Sequence, residues 1–122
     1  MTTKKRIRLV NNPAALGYFG EDVDFTTVEV DCEKLYEATL PSLNPLKKEA
    51  VEHYVRECDE IYMPVLAMYE SDDEPDIRFI DGRHTFITLY KNLRVRRLKV
   101  MVPQTQVRMF QRAIGWDRQP SA

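Results

Sequence analysis

At Asp81-Gly82 the chain changes its period, and that change limits the architecture more than any other feature of the sequence. Ile77-Arg-Phe-Ile80 reads as a strand, whereas Phe86, Leu89, Tyr90 and Leu93 recur at helical spacing. The strand is therefore expected to run through Asp81-Gly82 straight into a helix, with Asp81 as the N-cap. Such a step implies a sheet with helices packed beside it, a small α/β (α+β) domain with a mixed sheet and flanking helices.

The segments on either side extend this pattern. Residues 1–24 mix Asn11-Asn12-Pro13 with Gly17 and Gly20 and are read as an N-terminal arm with a short strand at Ile7–Val10. Phe25–Val30 alternates and is rich in β-branched residues, which predicts a strand with Val28 and Val30 on one face. Asn44-Pro45 has the form of a helix start, Asn as cap and Pro at the first helical position. Leu46, Ala50, Val51, Tyr54, Val55 and Cys58 recur behind it at three- and four-residue spacing and form the expected packed face.

Ile61–Tyr69 is an apolar run of strand length in which Pro64 suits a strand beginning or an edge. The acidic stretch Glu70–Asp76 then predicts a solvated turn, and Ile77–Ile80 returns to complete a hairpin. Val95–Val102 alternates, Leu98, Val100 and Val102 on one side and Arg97, Lys99 and Met101 on the other, before Pro103. A last helix is expected over Gln104–Ile114, Val107, Phe110 and Ile114 inward and Arg108 and Arg112 outward, and residues 117–122 read as a frayed tail. One domain over residues 25–116 suits a chain of 122 residues.

With 43% hydrophobic and 30% charged residues, the composition is neither disordered nor collagen-like. No apolar run suggests a membrane span, and the basic N-terminus has no apolar core behind it, so a cytoplasmic protein without a membrane partner is expected. The two cysteines, Cys32 and Cys58, are expected to be reduced thiols, and with His53 they make no metal-ligand spacing. A net charge of −1 conceals strong segregation: +4 over residues 1–19, −12 over 20–75 and +7 over 76–122. Such asymmetry marks either an anionic partner for the basic surface or mutual neutralisation of the two segments within the fold.

The chemistry concentrates where the period changes. A helix that begins directly after a glycine turn leaves its first N–H groups unpaired, and its dipole adds partial positive charge there. Gly82 lets the backbone approach a ligand, while Arg83, His84 and Thr85 add a guanidinium, an imidazole and a hydroxyl within one turn. Gly82, Arg83, His84 and Thr85 are thus the candidate phosphate-binding residues. Asp81 and His84 are the candidate catalytic pair, with Asp81 the candidate metal ligand. Arg94, Arg96, Arg97 and Lys99, with Arg108 and Arg112 further on, are candidates for a basic stripe that contacts nucleic acid or a protein partner.

These residues also carry a resemblance. The order strand, helix, proline-containing strand, acidic turn, strand ending in Asp81-Gly82-Arg83-His84, helix, strand is similar to the N-terminal domain of the ParB/sulfiredoxin superfamily over residues 25–103. Met63-Pro64-Val65 resembles that family's proline-initiated strand. Where the family usually carries an arginine after the His, this chain has Thr85, so Arg83 would supply the guanidinium. No cysteine lies in 81–85, which argues against sulfiredoxin chemistry. The resemblance implies nucleotide or nucleic-acid phosphate binding, Mg2+ with ATP or CTP, and NTPase or nuclease activity of the kind credited to plasmid- and phage-borne members. The alternative is a non-catalytic regulator or inhibitor with a degenerate phosphate site, acting through protein contacts.

Overall fold

Strand pairing follows the alternation of the sequence. The computed structural model describes residues 7–17, 23–42, 44–70 and 75–116. β2 (Phe25–Asp31) pairs antiparallel with β6 (Arg97–Pro103), Val28 opposite Val100 and Val30 opposite Leu98. These four side chains are buried on one face of the sheet, as the period of two requires. β6 meets β4 (Val65–Glu70) in parallel at Met101 and Val65, and β4 forms an antiparallel hairpin with β5 (Pro75–Asp81). The result is a mixed four-stranded sheet in the order β2-β6-β4-β5. Beyond the short parallel contact, the Gln106 side chain takes over as partner for β4: its Oε1 accepts from Met68 N–H (2.8 Å) and its Nε2 donates to Met68 O (2.9 Å).

The apolar run at 61–69 is two strands, not one. β3 (Glu60–Tyr62) pairs in parallel with β1 (Arg8–Val10) in a separate two-stranded sheet, and the chain changes sheet at Met63-Pro64. Pro64 has no N–H to give a ladder, so the break falls there. Its carbonyl is still used, accepting from Met101 N–H at 2.9 Å. Residues 7–17 thereby supply a strand, a short helix α1 (Ala14–Gly17) and the buried Asn12 and Ala15. The rest of the stretch read as an arm, 1–6 and 18–22, lies outside the described residues, as do 71–74 of the acidic turn and the tail 117–122.

Helices cover the face formed by Val28, Val30, Leu98, Val100 and Val102. α2 (Cys32–Thr39) was not legible in the sequence; it starts at Asp31, whose carboxylate accepts from Lys34 N–H at 3.1 Å. α3 (Pro45–Glu57) begins where Asn44-Pro45 places it, Asn44 Oδ1 accepting from Leu46 N–H at 3.0 Å. Its packed face is shorter than the spacing predicts. Leu46 is 90% exposed and Ala50 is exposed, and only the half from Val51 onward joins the core, with Val55 buried. α4 (Arg83–Ile87) continues without interruption into a π-helical turn, Thr88–Asn92. After β6, a 3-10 turn at Gln104–Gln106 leads into α5 (Val107–Ile114), which buries Phe110 and Ile114 and exposes Arg108 and Arg112. A smaller cluster of Ala15, Met63, Val65 and Met101 fills the opposite side of the sheet.

Candidate functional site

Gly82 is required by the way β5 turns into α4. Its φ of +86° lies in the left-handed region, and a Cβ built there would stand 2.8 Å from Pro64 Cα. Gly82 itself occupies the N-cap position, and no side chain caps the helix. This corrects the expectation for Asp81, which ends β5 rather than capping α4. The first turn of α4 starts with Phe86 N–H donating to Gly82 O at 2.9 Å, so the N–H groups of Arg83, His84 and Thr85 have no intrahelical acceptor.

Asp81 instead faces Asn12, whose Nδ2 donates to Asp81 Oδ2 at 2.8 Å. Asn12, 4% exposed, uses every polar group it has. Nδ2 also donates to Met63 O (2.9 Å), Oδ1 accepts from Ala14 N–H (2.9 Å), and its carbonyl accepts from Ala15 N–H (3.1 Å). One side chain thus ties the end of β5, the break before β4 and the start of α1 together. Sequence reasoning missed this role; the available signal was Asn12-Pro13 ahead of Ala14, the same Asn-Pro form that marks α3.

His84 is 8% exposed, and its Nε2 accepts a hydrogen bond from Asn44 N–H at 3.0 Å. An accepting Nε2 fixes the neutral tautomer with the proton on Nδ1. Burial, then the charges of Arg83 and Lys47, hold the imidazole below its ordinary pKa and reinforce that neutral state. The Nε2 edge therefore joins α4 to the start of α3. Thr85 is buried alongside it.

Arg83 is partly buried, and its Nε is the one fully enclosed side-chain nitrogen or oxygen among the described residues without a hydrogen-bond partner. Buried donors are rarely left so, since each costs about 1–3 kcal/mol. The turn thus carries three backbone N–H groups without an intrahelical acceptor and an arginine whose enclosed Nε has no partner.

The fit to Mg2+ is poor. Asp81 is a single carboxylate with one oxygen engaged by Asn12, and no group of three His, Cys, Asp or Glu side chains suited to a metal exists among the described residues. Cys32 is buried, and burial followed by the Asp31 charge pushes its thiol up to about 12, so it is no nucleophile at neutral pH.

The six basic candidates are not one stripe. Arg94 and Arg96 line a cleft of about 590 Å³ with Tyr90, Lys91 and Trp116. Arg97 and Lys99 line a larger cleft of about 1000 Å³ floored by Leu9, Val55, Leu89 and Leu98. Both of these bases lie near Glu29, Arg97 at 4.0 Å and Lys99 opposite it in the ladder. Arg108 and Arg112 stand exposed on α5, and neither they nor residues 81–85 line either cleft. Among the described residues no helix is long and apolar enough to cross a membrane.

No protein-family model matches the chain, and no curated protein matches it. Among solved structures it is similar to a Pnob8-like ParB-N domain in a C2221 crystal form, over 71% of this chain at 21% identity and a TM-score of 0.42. The chain spans about a third of that protein's length, 34%. A likeness of this size carries no functional weight.

Proposed function

We propose that the chain is a ParB-like domain that holds a phosphoryl oxyanion of a nucleotide or nucleic acid at Gly82–Thr85. The observation that carries this reading is the enclosed, partnerless Nε of Arg83 beside an uncapped helix start. An oxyanion accepts from both kinds of donor at once, and charge-assisted hydrogen bonds of this type are roughly twice as strong as neutral ones. The family's arginine after the His is absent here, and Arg83 takes over its charge from the preceding position. His84 serves as a positioning residue: its bond to Asn44 sets the pitch of the first turn rather than contacting the ligand.

Binding without hydrolysis is favoured over catalysis. His84 has its basic Nε2 committed to Asn44, Asp81 has one carboxylate oxygen held by Asn12, and no group of side chains suited to a metal stands beside them among the described residues. Since the donors are main-chain amides and a guanidinium, affinity is expected to be independent of added magnesium. Isothermal titration with ATP, CTP and GTP, each with and without Mg2+, tests this. Heat of binding that survives chelation and disappears in Arg83→Ala supports the reading, and silence with every nucleotide and with pyrophosphate overturns it. Turnover that is lost in Asp81→Asn while binding persists would favour the hydrolase instead.

A further inference from the structure

Arg94 lies in an environment that the phosphate turn does not use. Its φ of +56° is in the left-handed region, which costs a residue with a side chain about 1–2 kcal/mol. The neighbouring backbone holds it there. Leu93 N–H donates to Thr88 O (3.3 Å), Val95 N–H to Leu89 O (3.0 Å), and Arg96 O accepts from Cys32 N–H (2.9 Å). A strained backbone persists only where its surroundings over-determine it, and such positions cluster at ligand sites. The π-helical turn Thr88–Asn92 immediately before it is a second irregularity of the same kind.

The cleft beside this kink combines two chemistries. Lys91, Arg94 and Arg96 bring three cations, and Tyr90 and Trp116 bring two aromatic rings. The Lys91 Nζ is 4.2 Å from the Tyr36 ring centroid and 5.6 Å from that of Tyr90, so the charge is held against the aromatic wall. Trp116 is anchored through its backbone N–H, which donates to Glu29 O at 3.0 Å, and the Arg97 guanidinium lies 6.0 Å over its ring. The two carboxylates lining the cleft do not cancel this character. Asp31 is engaged by Lys34 N–H at the cap of α2, and with Glu33 it leaves three cations against two carboxylates, a net positive lining.

We propose that this cleft binds single-stranded nucleic acid, a base stacking on Trp116 beside the wall formed by the Phe86–Tyr90 stack and phosphates pairing with Lys91, Arg94 and Arg96. Cations alone accept any polyanion, but cations interleaved with aromatic faces favour an unpaired strand whose bases are free to stack. No backbone donor pattern reads base edges, so binding tolerates sequence. The site shares no residue with the Gly82–Thr85 turn and stands or falls separately from it.

Trp116 is the one tryptophan of the chain, so its emission reports this cleft directly. Titrating the full chain with an oligo-dT of about twelve nucleotides is expected to quench Trp116, whereas inorganic polyphosphate is expected to leave its emission unchanged. Three phosphate contacts predict that a fourfold rise in salt weakens binding roughly tenfold to twentyfold. By fluorescence anisotropy, Lys91→Glu and Arg96→Glu should each lose about tenfold or more in affinity, and Trp116→Phe should retain binding. Arg108→Glu on α5, outside the cleft, should bind the strand as the parent does. The proposal is overturned by absent quenching at low salt, or by equal quenching with polyphosphate. Undiminished binding in Lys91→Glu and Arg96→Glu proteins of unchanged melting temperature also overturns it, as does an equal loss of strand binding in Arg108→Glu.

Discussion

The imidazole of His84 accepts the backbone N–H of Asn44 at 3.0 Å, and this one bond joins the start of α4 to the start of α3 across forty residues of chain. Only neutral imidazole can make it. Burial and the nearby Arg83 and Lys47 charges favour that form, holding the folded-state pKa below the ordinary 6.5. In the window below 6.5 the unfolded chain therefore binds more protons than the folded one, and stability rises with pH. The contribution is complete above 6.5 and is lost as pH falls through the folded-state value. Urea midpoints measured from weakly acidic to neutral pH should show this slope in the parent, and His84→Gln should flatten it.

Gly82→Ala places a methyl group against Pro64 at a backbone angle that alanine avoids. A loss of about 1–2 kcal/mol is expected from the left-handed conformation alone, before any clash. Equilibrium denaturation checks this. A neutral result would mean that the β5–α4 turn is loose enough to re-form in another way, and the first-turn amides would not be fixed donors.

Asn12→Ala removes donors from Met63 O and Asp81 and an acceptor from Ala14 N–H in a buried setting. The expected cost is about 1–3 kcal/mol. Phosphate affinity should fall with it, because Asn12 sets where β5 ends. Denaturation and nucleotide titration of the same variant separate the two effects, and an Asp81→Asn protein, which keeps an acceptor for Asn12, should retain both properties.

The two thiols should differ in reactivity. Cys58 is half-buried at the end of α3, while Cys32 is fully enclosed with its thiol pushed up to about 12. A disulfide reagent at neutral pH should therefore label one thiol in the native chain and the second only after denaturation. Rapid labelling of both would contradict the packing of α2 against the sheet.

The β5–α4 step, the hairpin, β2 with β6, and the last helix were legible because each carries its own period. Val28 with Val30 and Leu98 with Val100 alternate cleanly, and Phe110 with Ile114 keeps a helical interval. Three features were not. α2 starts inside a strand ladder, at Asp31, with no break in composition. The run 61–69 is apolar throughout, so nothing but Pro64 marks where it changes sheet, and a proline suits an edge as well as a break. The outer half of α3 keeps an apolar spacing at Leu46 and Ala50 that meets no partner among the described residues. At the site, the turn and its glycine were readable from Asp81-Gly82, but the partners of Asp81 and His84 come from residues 12 and 44, and long-range pairing leaves no local trace. That Tyr90 and Trp116 share one cleft with Arg94 and Arg96 left no local trace for the same reason.

The most direct measurement follows the donors themselves: amide and arginine Nε–H resonances in a proton–nitrogen correlation spectrum during titration with inorganic pyrophosphate. Saturable shifts at the N–H groups of Arg83, His84 and Thr85 together with the Arg83 Nε–H are the predicted result. Shifts confined to Lys91, Arg94 and Arg96, or no change at the turn up to saturating pyrophosphate, would contradict it.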